Sequence, residues 1–219
     1  MSQLLFALAS SGFDQELVAR LEFTFLPIGH SLHDWEPRAL LAEIGKSHEK
    51  FCELLKLACY KRDDGTLEDV EQTAGVATNA RQLLNNEAWY PANQRGKDVN
   101  VNEIREWIRR AVQLASESNR SQIATQLIAQ SLGRLGKRSG AQWPSNAMAE
   151  LLEEMHSESF MHDVIHGEMY GFGPRSVEAD HDAARAQALD QRADEIRLEF
   201  PHTTKLLRKL AHEYRHSRW

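Results

Sequence analysis

The sequence has only two cysteines in 219 residues, Cys52 and Cys59, both within one helical stripe. A disulfide framework is excluded, and a reducing, cytoplasmic compartment is expected. It also lacks a long apolar run. Residues 4–9, the longest near the start, stop at Ser10 and Ser11, too short to span a bilayer, and mean hydropathy is −0.53. No basic flank precedes that run, so neither a signal peptide nor membrane attachment is expected. No G-x-x-x-x-G-K-[ST], G-x-G-x-x-G or G-x-S-x-G occurs, which removes the usual markers of nucleotide hydrolysis and of nucleophile-elbow hydrolases. Lysine and arginine are missing from 144–174, a stretch that holds Glu150, Glu153, Glu154, Glu158, Asp163 and Glu168. The net charge of −6 gives no general reason to expect nucleic acid as a partner.

What is present is helical periodicity. Ile104, Trp107, Ile108, Ala111, Leu114 and Ala115 recur at three-and-four spacing, with Asn102 as the expected N-cap. His48, Phe51, Cys52, Leu55, Ala58 and Cys59 form a second stripe. Met148, Leu151, Leu152 and Met155 form a third, and Leu189, Ala193, Ile196 and Phe200 a fourth. A fifth, after Pro201, comprises Leu206, Leu207, Leu210, Ala211 and Tyr214. Strand-like alternation is absent. Asp64-Gly65 lies between helical patterns, where Thr66 and Asp69 resemble a capping box, so it marks a helix-to-helix turn. The class expected is all-α, an irregular multi-helix bundle of antiparallel helix pairs. Residues 25–34 (Pro27, Gly29) and 90–100 (Pro91, Gly96) read as loops. Residues 136–144 (GKRSGAQWP) read as the boundary between a front bundle, 1–136, and a smaller rear bundle, 145–219, packed on it.

The sharpest chemical match is His212-Glu213-Tyr214-Arg215-His216, an HExxH. Two imidazoles one helical turn apart can both ligate zinc while the glutamate between them acts on the bound water. A third ligand would come from His156, His162, His166 or Glu168. His162 and His166 are a second i, i+4 pair, and two facing pairs could close a four-histidine site. This defines an alternative reading as a zinc-dependent hydrolase with Glu213 as the catalytic group. The simpler reading takes precedence. Seven of the ten histidines follow residue 150, and the apolar stripe leaves His212 and His216 on the polar flank of their helix. They are then solvated surface groups in a non-enzyme without a cofactor. His30, His33 and Asp34 sit in a loop, where capping is the default. Arg197 and His202 have an Arg-x4-His spacing used by some helical-bundle ribonucleases, but Pro201 interrupts it. Cys52 and Cys59 read as buried, inert thiols.

Charge also predicts packing. The last helix carries Lys205, Arg208, Lys209, Arg215 and Arg218 against Glu213, so it is expected to lie beside the acidic helices of 144–174 and pair with them. Exposed pairs contribute ~0–1 kcal/mol each and select orientation more than they stabilise. Surfaces for a protein partner are Trp219, the 90–100 loop and the acidic stretch with Glu153, Glu154 and Glu158.

The run Ala77, Ala80, Leu83-Leu84, Trp89, Pro91, Asp98, Ile104, Trp107-Ile108 and Ala111 resembles the C-terminal α-helical region of large, uncharacterised bacterial multidomain proteins. So do Trp143-Pro144, Gly167, Arg175-Ser176-Val177, Phe200-Pro201-His202-Thr203, Leu206-Leu207-Arg208 and Tyr214. Some of those proteins are similar to bacterial defence or signalling proteins. The resemblance implies an interaction or scaffold role, antiviral defence included, and a protein partner encoded nearby. Because the chain is short and begins with its own methionine, any catalytic domain is expected to lie on a separate chain or to be absent. Met169-Tyr170 stands where the family has Tyr-Asn, a departure from its pattern.

Overall fold

The structure is a computed structural model that describes residues 7, 13–29, 37–59, 62–67, 74–84, 100–139, 143–170 and 179–216. The chain is all-α. The helices over the described residues are α1 (Gln15–Gly29), α2 (Arg38–Lys46), α3 (His48–Ala58), α4 (Ala74–Leu84), α5 (Val101–Glu117), α6 (Ser121–Ser139), α7 (Asn146–Glu154), α8 (Glu158–Tyr170), α9 (Ala179–Ile196) and α10 (Pro201–His216).

Among the described residues, five of the ten helix starts are written locally. A side-chain oxygen on the preceding residue accepts from the first free backbone N–H groups of α1 (Asp14), α3 (Ser47), α5 (Asn100), α7 (Ser145) and α8 (Ser157). The expected cap at Asn102 therefore moves to Asn100, whose side-chain oxygen accepts from Asn102 and Glu103 and whose side-chain amide donates to the Glu103 carboxylate at 2.8 Å. Three starts are instead capped from a distance. Glu22 accepts from Leu40 in α2, Asp63 from Gln122 in α6, and Glu153 from His202 and Thr203 in α10. The residues before α2 and at the start of α10 are Pro37 and Pro201, which offer no capping side chain.

Two compact units divide the chain, Met1–Ala124 and Thr125–Trp219. The division falls in the first turn of α6. The stretch 136–144 lies inside the second unit, with Gly136 still helical and Trp143 and Pro144 buried. Residues 25–29, expected in a loop, continue α1. Pro27 sits in the final turn, where the one amide bond it forfeits is followed almost at once by the helix end.

In the first unit α1 packs on α2 and α4, and α3 on α2, α4 and α5. Phe51 is fully buried and meets Trp107 edge-on at 5.2 Å between ring centres. The C-terminal carbonyls of α3 are met by cations. Arg81 Nε donates to Ala58 and Arg120 Nε to Cys59. Cys52 is buried and Cys59 half-buried, both free, and burial pushes the Cys52 thiol up to about 11. Cys52 is thus buried as the sequence suggests, whereas Cys59 is less enclosed than expected.

In the second unit α10 packs mainly on α9 and also on α7 and α8. Contacts at Ala193–Thr204, Asp194–Arg208 and Asp190–Arg215 show that α9 and α10 run antiparallel. Leu206, Leu207 and Leu210 are at most 1% exposed, each contributing about 1.5–3 kcal/mol of burial. Helices α6 and α8 approach at backbone distance. A Cβ on Gly133 would fall 2.0 Å from the Val164 oxygen, and one on Gly167 2.0 Å from the Gln130 oxygen. Among the described residues no helix is long and apolar enough to cross a membrane.

Candidate functional site

The expected pairing of the basic terminal helix with the acidic stretch is corrected by the ion pairs. Helix α10 does lie against α7 and α8, but Arg208 and Arg215 bind Asp194 and Asp190 of α9. Glu153 meets the N-terminus of α10. Its carboxylate accepts from the Thr203 N–H at 2.8 Å, the His202 N–H at 3.1 Å and the Thr203 hydroxyl at 3.1 Å. Partial burial pushes this carboxyl up, but those bonds and nearby His202 outweigh it and hold it below its ordinary range. Glu153 is thus engaged within its own unit, whereas Glu154 and Glu158 are exposed. Trp219, His30, His33, Asp34 and residues 90–99 lie outside the described residues.

The pairing leaves a second consequence. Lys205 and Lys209, one turn apart on the exposed flank of α10, have no ion pair among the described residues. They face a solvent-open groove of about 790 Å³ between α8 and α10, whose walls include His162, His166 and Tyr170 of α8, and His212 and Glu213 of α10. Ile165, Thr204 and Pro201 line the same groove. The size is that of an ordinary ligand or side-chain pocket, where about 300–1,000 Å³ is usual.

The groove therefore unites His162, His166, His212 and Glu213, which the sequence singled out. It does not assemble them as ligands. Among the described residues no three His, Cys, Asp or Glu side chains are placed to hold one metal ion. The rings of His212 and His216 stack at 4.1 Å between centres and 22° between planes, and His216 Nδ1 lies 2.9 Å from the His212 carbonyl oxygen. Imidazole lone pairs lie in the ring plane, so stacked rings aim them nearly parallel. A tetrahedral zinc needs them to converge at about 2.0–2.1 Å. His166 lies beside Tyr170 instead, 5.2 Å between ring centres. Asp163, between the two α8 histidines in sequence, is pushed up by burial against the opposing pull of His162, Gln130 and His166.

The other upstream ligand candidates are engaged elsewhere. Glu168 is fully buried, paired with Arg185 at 2.7 Å and accepting from the Tyr214 hydroxyl at 3.3 Å. Arg185 also donates to the Gly136 carbonyl at 3.0 Å, so this charge is neutralised inside the core. His156 stacks on His202 at 3.8 Å, with its Nδ1 2.7 Å from the Glu153 carbonyl.

Sequence reasoning overlooked Lys205 and Lys209 as site residues because it assigned them to ion pairing. The signal was available: at 100° per residue, 205, 209 and 212 share one stripe opposite the buried Leu206, Leu207 and Leu210. No family model matches the chain, and no curated protein or solved structure is similar to it.

Proposed function

We propose that this chain is a non-catalytic helical subunit that binds another protein within a bacterial, cytoplasmic multi-protein system, with antiviral defence as the setting its resemblance implies. The observation that supports the reading is the α8–α10 groove, an open recess lined by Ile165 and Pro201 together with lysine and imidazole, on helices held by buried leucines and a distant cap. Interfaces of this kind place an apolar anchor in a recess and charge around it. The test is capture by the tagged chain of the purified products of its flanking genes. A stoichiometric complex is expected, and a chain that remains a monomer with none of them contradicts the proposal.

That His162, His166, His212 and Glu213 all line one groove favours a second reading, a zinc-dependent hydrolase. Side-chain rotations that unstack His212 from His216 are its first requirement. Elemental analysis of protein purified without a histidine tag separates the two: stoichiometric zinc supports the hydrolase, and a metal-free, folded chain that takes up no added zinc removes it.

A further inference from the structure

The chain carries a formal charge of −6, yet the α8–α10 groove presents the opposite sign. Lys205 and Lys209 are exposed and without ion pairs among the described residues, while three imidazoles stand around them. Arg208 is tied to Asp194 at 3.1 Å, so the two lysines are the cations the groove offers outward. Taking the chain as a protein-binding subunit, we infer that the groove receives an acidic, amphipathic segment of the partner. An apolar side chain enters over Ile165 and Thr204, and carboxylates one turn apart meet Lys205 and Lys209.

Charge complementarity argues for this occupant. Lysines at i and i+4 stand about 5–6 Å apart at Cβ, the spacing of two glutamates one turn apart on a partner helix. Two lysines beside a recess that Ile165 and Pro201 also line make too short a basic track for a nucleic acid, which binds through many phosphate contacts. Binding through such a rim is fast and salt-sensitive, and it rejects partners of the wrong sign.

The experiment is fluorescence anisotropy with the full chain and three labelled probes: an amphipathic Leu/Glu helical peptide, its Leu/Gln counterpart, and a mixed-sequence single-stranded RNA. The Leu/Glu peptide is expected to bind, and the Leu/Gln peptide at least about tenfold more weakly. The variant Lys205→Glu/Lys209→Glu is expected to lose at least about tenfold for the Leu/Glu peptide with unchanged circular dichroism and melting, since both side chains are exposed. Equal binding of the Leu/Gln peptide, no binding of the Leu/Glu peptide, indifference to charge reversal, or tighter binding of RNA overturns the inference. So does a concentration-dependent dimer broken by charge reversal, which assigns the groove to a second copy. A flanking-gene product captured equally by the wild-type and reversed chains removes this inference and leaves the proposed function standing. Charge-sensitive peptide binding by a chain that captures no such product does the converse.

Discussion

Glu22 in the first unit and Glu153 in the second perform the same local task, each reaching from its own helix to cap the start of another. They end in opposite electrostatic states. Glu22 is 1% exposed, and burial pushes its carboxyl up to about 7 although the N–H groups of Leu40, Ala39 and Arg38 pull it down. Glu153 is only half-buried, and two N–H groups, a hydroxyl and nearby His202 hold it down. Backbone amides alone do not offset the loss of water around a carboxylate; water at one edge, with a hydroxyl and an imidazole added, does. The two units contrast in their glycines as well. Gly133 and Gly167 mark where α6 and α8 touch through backbone, whereas a Cβ on Gly75 in α4 would meet nothing.

The largest expected effect tests the glycine contrast. Gly133→Ala drives a methyl to 2.0 Å from a backbone oxygen that no side-chain rotation can move. It should cost about 3 kcal/mol or more in thermal or denaturant unfolding. A cost under about 1 kcal/mol removes the close helix contact from the account.

Nearly as large is the pH response of the first unit. Because the Glu22 carboxyl titrates near 7 when folded and 4.5 when unfolded, its contribution is fully present below about pH 4.5 and is lost as pH rises through 7. The difference is about 3 kcal/mol. Hydrogen exchange of α1 and α2 amides should quicken over that window, and Glu22→Gln should flatten the slope. The second unit responds with the opposite sign. Glu153 contributes above its unfolded value of 4.5 and loses that contribution as pH falls below it. Glu153→Ala should cost about 1 kcal/mol at neutral pH, read as faster exchange in the first turn of α10. If both units respond with the same sign, the contrast between the caps fails. The smallest effect is Gly75→Ala, which should raise stability by about 0.5–1 kcal/mol in the same melts.

These contrasts mark how far the sequence is legible. Helix stripes, the core positions of Trp107 and Leu206 to Tyr214, and the local serine and asparagine caps follow from periodicity and short-range chemistry. The distant caps do not. Nothing near Pro37 or Pro201 says that Glu22 or Glu153 will serve them, because a tertiary hydrogen bond has no spacing rule. For the same reason Glu168 read as a free ligand candidate and Lys205 as an ion-pair partner, although Arg185, 17 residues on, neutralises the glutamate and the aspartates of α9 take the arginines of α10. The i, i+4 spacing correctly placed His162 with His166, and His212 beside His216. It could not tell a converging pair from a stacked one, which depends on side-chain rotation.

The central claim, that partners dock in the α8–α10 groove, is tested most directly by hydrogen–deuterium exchange of the chain with and without a captured flanking-gene product. Protection is predicted on α8 around Ile165 to Tyr170 and on α10 from Lys205 to Glu213, with the first unit unchanged. Protection confined to the first unit, with α8 and α10 exchanging as in the free chain, contradicts it.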